Sequence, residues 1–178
     1  MPFNKGGIRI IIVLVFFGAL LLSFVVASVV RSTNTVNFCA SCHEMRVFYE
    51  TWNVSPHGKA EKGVIKAKCA DCHLPQKDVL TYLTAKAFYG VNDIGAHFVK
   101  KKVDWIAKWE GREEHVHEAY ESGCKKCHKD LTAPGIPIKA FLAHRAYELG
   151  ETRKTCISCH KHVGHGDLVY AIRSRMKI

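Results

Sequence analysis

Cys39-Ala40-Ser41-Cys42-His43 sets a pattern that returns at Cys69–His73, Cys124–His128 and Cys156–His160. Each copy reads Cys-x-x-Cys-His, the attachment signature of a c-type haem. Two thiols take the porphyrin vinyl groups, and the histidine is placed to bind iron. One copy alone would also suit a zinc half-site or a dithiol redox pair. Here all eight cysteines fall inside the four copies, and a histidine follows every second one. A zinc ribbon has no need of those histidines, and a disulfide scaffold does not space its thiols this way. The sequence therefore predicts four covalent haems, held by Cys39, Cys42, Cys69, Cys72, Cys124, Cys127, Cys156 and Cys159.

Such a cofactor load limits the fold. Ile10 to Val30 carries no charge over 21 residues, about 31 Å as a helix and enough to cross a bilayer's hydrocarbon core. A cleaved signal peptide is the competing reading, with Val26-Ala27-Ser28 as a weak cleavage site, but the run exceeds a normal signal core. Lys5 and Arg9 precede the run, which keeps residues 1–9 cytoplasmic, makes 10–30 the transmembrane anchor and sends 31–178 outside. Covalent haem at four sites places that outer part in the periplasm of a bacterium, on its inner membrane. After the first thirty residues, 148 remain, or 37 per haem, too few for a conventional side-chain core. The expected fold is mainly α with many loops, wrapped round the haems.

The net charge of +10 invites a nucleic-acid reading. Four haems bring about eight propionates, which with an anionic membrane surface roughly balance the surplus. No nucleic-acid partner is expected.

Beyond the anchor the chain repeats. His57 lies twelve residues before Cys69, and His144 lies twelve before Cys156. We read two diheme units, about 39–77 and 124–166. Between them, about 78–109, lies a segment without a haem motif. Its apolar residues run from Val79 to Ile94, and Gly90 and Gly95 argue against one unbroken helix. Lys100-Lys101-Lys102 then meets Trp105 and Trp109, a combination typical of a membrane interface. The alternative is a helix laid over a haem edge. Lys108 to Glu121 reads as a solvated helix. His115 and His117, after two glutamates, read as surface residues. The basic tail after Leu168 suggests no function.

Four six-coordinate irons need eight axial ligands. The motifs offer His43, His73, His128 and His160. Outside them, His57 and His144 gain weight from their matched spacing, and His165 from sitting five residues after His160. Lys86 and Asp93 are seven apart on one helical face, which Tyr82 and His97 extend. On that face Lys86 could equally snorkel to lipid phosphate and Asp93 cap a helix.

The anchor, the four motifs, Cys39 to Met45 as Cys-x-x-Cys-His-x-Met, Ser55-Pro56-His57 and the run Cys156 to His165 together resemble the NapC/NirT/NrfH family. Its members are membrane-anchored tetrahaem cytochromes that oxidise quinol and pass electrons to periplasmic reductases. Ala143 to Tyr147 and Cys159 to His162 look closest to the NrfH branch, the small subunit that feeds cytochrome c nitrite reductase. The resemblance implies that Met45, not His43, binds the first iron, with Asp93 near its other face and Lys86 in the quinol pocket. It also implies His57 and His165 as distal ligands. In NrfH one haem takes a lysine from the partner subunit, whereas His144 here could serve that iron internally, as in NapC-like relatives.

The chemistry of quinol agrees with this assignment. Quinol stays in the bilayer, and the first motif, tethered beside the anchor, is the one forced to lie there. The expected partners are the membrane quinol pool and a periplasmic multihaem reductase. A directly catalytic reductase would need an open iron site, often marked by a motif that lacks its histidine. A sensor would need a cytoplasmic output module, and nine residues cannot form one.

Overall fold

The computed structural model describes residues 5–59, 65–99, 104–110 and 119–176. His115, His117, Lys100 to Lys102 and most of the charged stretch before Glu121 lie outside them. Among the described residues the chain is helical, with no strand.

The first helix, α1 (Lys5–Thr33), has 29 residues, none of them buried, and runs about 44 Å. It continues past the apolar run to Thr33, whose hydroxyl donates to the Val29 carbonyl in the last turn. Thr35 then caps the short α2 (Val36–Cys39), accepting from the Phe38 N–H at 3.2 Å. A 3-10 turn over His43–Met45 leads into α3 (Arg46–Asn53).

The three later motifs form helices of their own. These are α4 (Cys69–His73), α7 (Glu121–Cys127) and α9 (Cys156–Cys159). In each, one helical turn puts both cysteines of the motif on the same side. Asp71 starts α4 by accepting from the Lys68 N–H at 2.9 Å. Glu121 links α7 to α9, accepting from the Cys156 N–H at 2.8 Å and from the Tyr147 hydroxyl at 2.9 Å. Tyr147 lies on α8 (Ile138–Glu148).

The second and third motifs meet backbone to backbone. Tyr120 N–H donates to the Cys72 carbonyl at 2.8 Å, and Gln76 N–H to Ser122 Oγ at 3.0 Å. A Cβ at Gly123 would collide with the Asp71 carbonyl oxygen, so only glycine allows the approach. Gly123→Ala is expected to cost about 1–3 kcal/mol. A thermal melt of the holoprotein checks this; an unchanged midpoint would show that α4 and α7 can separate freely.

Between the halves, α5 (Val79–Val99) is one unbroken helix of 21 residues, contrary to the expectation from Gly90 and Gly95. Asp78 starts it by accepting from the Thr81 N–H at 2.8 Å. Nothing lies within 4 Å of a Cβ built at either glycine. Each therefore costs only its helix propensity, about 1 kcal/mol, which the rest of the helix absorbs.

The tryptophans also depart from expectation. On α6 (Trp105–Glu110), Trp105 and Trp109 are half-buried against protein. They pack on Val47, Leu168 and Ile172, with Trp105 edge-to-face on Phe48 at 4.9 Å. Closing over apolar side chains gives the indoles more buried area than an interface would. This cluster gives the basic tail its structural role. Asp167 starts α10 (Leu168–Met176) by accepting from the Tyr170 N–H at 3.0 Å. Leu168 is 2% exposed, and Arg175 pairs with Glu50 on α3.

Candidate haem sites

Three histidine pairs face each other across the domain. His165 lies 6.2 Å from His73, His57 lies 6.1 Å from His128, and His144 lies 6.0 Å from His160, between ring centres. An iron held by two imidazoles through bonds of about 2.0 Å leaves the ring centres roughly 6 Å apart. In every pair the histidine from outside the motifs has its Nδ1 bonded to a backbone carbonyl. His57 uses Val163 at 3.1 Å, His144 uses Leu131 at 2.6 Å, and His165 uses Phe48 at 3.0 Å. That bond fixes the tautomer and leaves the Nε2 lone pair for a metal. Burial, with His73 beside it, pushes His165 down to about 4, so its imidazole is neutral, as ligation requires. The donor set and spacing fit haem.

The pairing is not what the matched spacing would give. His144 faces the motif twelve residues after it, but His57 faces the third motif and His165 the second. The two halves thus exchange histidines, and the Trp52–Gly58 turn that carries His57 is correspondingly tight. Gly58 lies against the Trp52 carbonyl, and the Trp52 indole donates to the Ala67 carbonyl at 3.1 Å.

The attachment cysteines follow one another in space as in sequence. Cys69 lies beside Cys39, Cys72 close to Cys124, and Cys124 beside Cys156. This line begins on α2, just after the long apolar helix. The charges of Lys86 and Asp93 are both felt at Cys39. Lys86 and Asp93 therefore both lie near the first motif. The Lys86 ammonium donates to the Thr33 carbonyl at 3.3 Å and to Asn34 Oδ1 at 2.7 Å, tying α5 to the end of α1. Burial lowers the Lys86 pKa. It raises that of Asp93, which keeps an exposed surface but sits against protein on one side; Lys108 and His73 oppose the rise.

At the first motif a carboxylate from the same turn reaches His43. The His43 side chain is 82% exposed, and its Nε2 lies 3.3 Å from Glu44 Oε1. Met45, at the end of the 3-10 turn, is half-buried. His97 faces His43 at 5.7 Å, with its Nδ1 held by the Glu44 carboxylate at 3.0 Å. The sequence left two of these features unnoticed, Glu44 and Gly123. A glycine directly before Cys124 was the available signal for the second.

Four attachment motifs, facing histidines and one long exposed apolar helix define a tetrahaem c-type cytochrome with an N-terminal helix suited to membrane anchoring. Residues 2–170 match the family model described as the NapC/NirT cytochrome c family, N-terminal region, and the chain belongs to that family. It is 32% identical over 165 residues to a tetraheme cytochrome-c type protein of Allochromatium vinosum, covering 85% of each chain. It is also 32% identical to the cytochrome c-type protein TorY of Escherichia coli O157:H7, over 76% of this chain but 38% of that longer protein. Among solved structures it resembles a chain of the cytochrome c nitrite reductase NrfHA complex bound to the HQNO inhibitor. The TM-score is 0.56 with 28% identity, over 85% of this chain and 90% of that one.

Proposed function

We propose that this chain is a quinol dehydrogenase of the bacterial inner membrane, with its haem domain in the periplasm. It takes electrons from menaquinol or ubiquinol and delivers them to a periplasmic multihaem reductase. The observation that carries the proposal is Lys86, bonded to the last carbonyl of α1 and to the Asn34 side chain, with its charge and that of Asp93 both felt at Cys39. This supports a reactive pair close to the end of the anchor, where a quinol in the bilayer would meet the first haem. On α5, Phe88, Val91, Ile94 and Phe98 each leave at least 61% of their surface exposed, an apolar face suited to the lipid interface.

When bound, the four haems supply one-electron acceptors along the line of attachment sites. The remaining chemistry belongs to the chain. An ammonium has three donors; two of those on Lys86 hold Thr33 and Asn34, and the third can hold a quinol oxygen. Each quinol loses two protons with its two electrons. Asp93 accepts a proton from the quinol hydroxyl as a general base, and its exposed side passes that proton to water.

Among candidate ligands, His73 with His165, His128 with His57 and His160 with His144 are proposed as bis-histidine pairs. Met45 is proposed at the first iron, which agrees with His43 Nε2 lying 3.3 Å from Glu44 Oε1. Met45→Leu should change the spectrum and potential of one haem and leave three unaltered. Unchanged spectra for all four would return that iron to His43.

Cytochrome c nitrite reductase is the proposed acceptor, supported by the likeness to the NrfHA complex. A NapC/NirT-type role, serving nitrate or other periplasmic reductases, is favoured by one observation. His144 already faces His160 at 6.0 Å, which leaves no vacancy for a partner's lysine. Mixing the holoprotein with a pentahaem nitrite reductase and quinol decides between them: nitrite-dependent quinol oxidation supports the first reading, and its absence the second.

A further inference from the structure

Thr51 sits near the end of α3 and points its hydroxyl back along the helix. The hydroxyl meets the Val47 carbonyl at 2.9 Å and the Phe48 carbonyl at 3.1 Å, the usual back-bonding of a helical threonine. With its proton held there, the oxygen keeps lone pairs for another donor. His165 supplies that donor. Its Nδ1 lies 3.3 Å from Thr51 Oγ1 and 3.0 Å from the Phe48 carbonyl oxygen. Phe48 and Thr51 are one turn apart on α3, so two acceptors clasp a single N–H. The Phe48 ring closes another side, edge-to-face with the imidazole at 5.6 Å. His57 and His144 are each held by a backbone carbonyl. At His165 a side-chain oxygen joins it.

We propose that Thr51 is a positioning residue for the haem on Cys69 and Cys72, acting through His165. The proposal rests on the reading that His165 binds that iron. A second acceptor on Nδ1 draws the proton away from the ring and makes Nε2 more basic. A more basic imidazole favours ferric iron, so the hydroxyl lowers this haem's potential. Thr51 and His165 are both part-buried, which strengthens the bond relative to water. Cys69 lies beside Cys39, so the second haem is the first stop after the one that meets quinol. Thr51 thereby sets the driving force of the first step along the relay.

The test is a spectroelectrochemical titration of the holoprotein in detergent, with electron paramagnetic resonance to identify the haem. Thr51→Val keeps the branched shape and removes the hydroxyl. It should move one haem's equilibrium toward ferrous by up to about tenfold, a rise of at most about 59 mV for a one-electron couple. All four haems should stay attached. Thr51→Ser restores the oxygen and should return the midpoint to the wild-type value. An equal rise in Thr51→Ser would show a packing role and overturn the proposal. His165→Ala, measured alongside, should turn the haem on Cys69 and Cys72 high-spin. Unmoved midpoints in Thr51→Val, with that haem high-spin in His165→Ala, would overturn the role of Thr51 and leave the ligand reading intact. A haem there that stays low-spin in His165→Ala would overturn the ligand reading, and this proposal with it.

Discussion

Asp93→Asn is expected to slow quinol-driven haem reduction by about 10²–10⁴-fold, the range a general base contributes. Asparagine keeps the shape of the side chain and removes the proton acceptor. Reduction by dithionite should be unaffected, because it bypasses the pocket. The pH profile gives a second signature. Asp93 must be ionised to accept a proton, and burial raises its pKa. The rate should therefore climb with pH through a value above the ordinary carboxylate range. Lys86 is shifted the other way by burial, so the rate should fall again where its ammonium is lost. Asp93→Asn should abolish the acid limb. Lys86→Ala should remove the alkaline limb and weaken quinol binding as well. Stopped-flow reduction at a series of pH values reads both limbs. Wild-type rates in both variants, with four haems present, would place quinol oxidation elsewhere.

A second large effect is expected far from the pocket. His57 faces His128, so His57→Ala should convert the haem on Cys124 and Cys127 from low-spin to high-spin. The haem on Cys69 and Cys72, much nearer in sequence, should keep its spectrum because His165 faces His73. Losing one imidazole in mid-relay should slow onward transfer about 10–100-fold, as defects in ligand support commonly do. Electron paramagnetic resonance of the variant identifies the altered haem. A change at the second motif would contradict the crossed arrangement.

The sequence made the chemistry legible and the pairing illegible, for a physical reason. Cys-x-x-Cys-His is a local device, one helical turn long, so all four attachment sites could be read directly. The anchor is equally local, being a matter of length and charge. Lys86 and Asp93 could be placed on one face because helical periodicity fixes it. Which histidine meets which motif depends instead on how α4 and α7 dock. That depends on Gly123 clearing the Asp71 carbonyl, a contact no local pattern announces. The twelve-residue spacing shared by His57 and His144 suggested equal roles, and tertiary packing gave them different ones.

The helices taught the same lesson in both directions. Gly90 and Gly95 read as breaks, yet α5 runs straight through them because their cost is small beside that of ending a 21-residue helix. Trp105 and Trp109 read as lipid anchors because lysines precede them. Their partners, Leu168 and Ile172, lie on a tail whose charge concealed a short apolar stripe. An i, i+4 pair after a capping aspartate was the available signal.

The most direct test of the account is anaerobic addition of a quinol to the holoprotein in liposomes, with haem reduction followed optically. The account predicts that all four haems become reduced, consuming about two quinols per chain for the four motifs, since each quinol yields two electrons. HQNO, which the related NrfHA complex binds, should block that reduction while dithionite still completes it. Haems that stay oxidised with quinol, yet are all reduced by dithionite, would contradict quinol dehydrogenase activity outright.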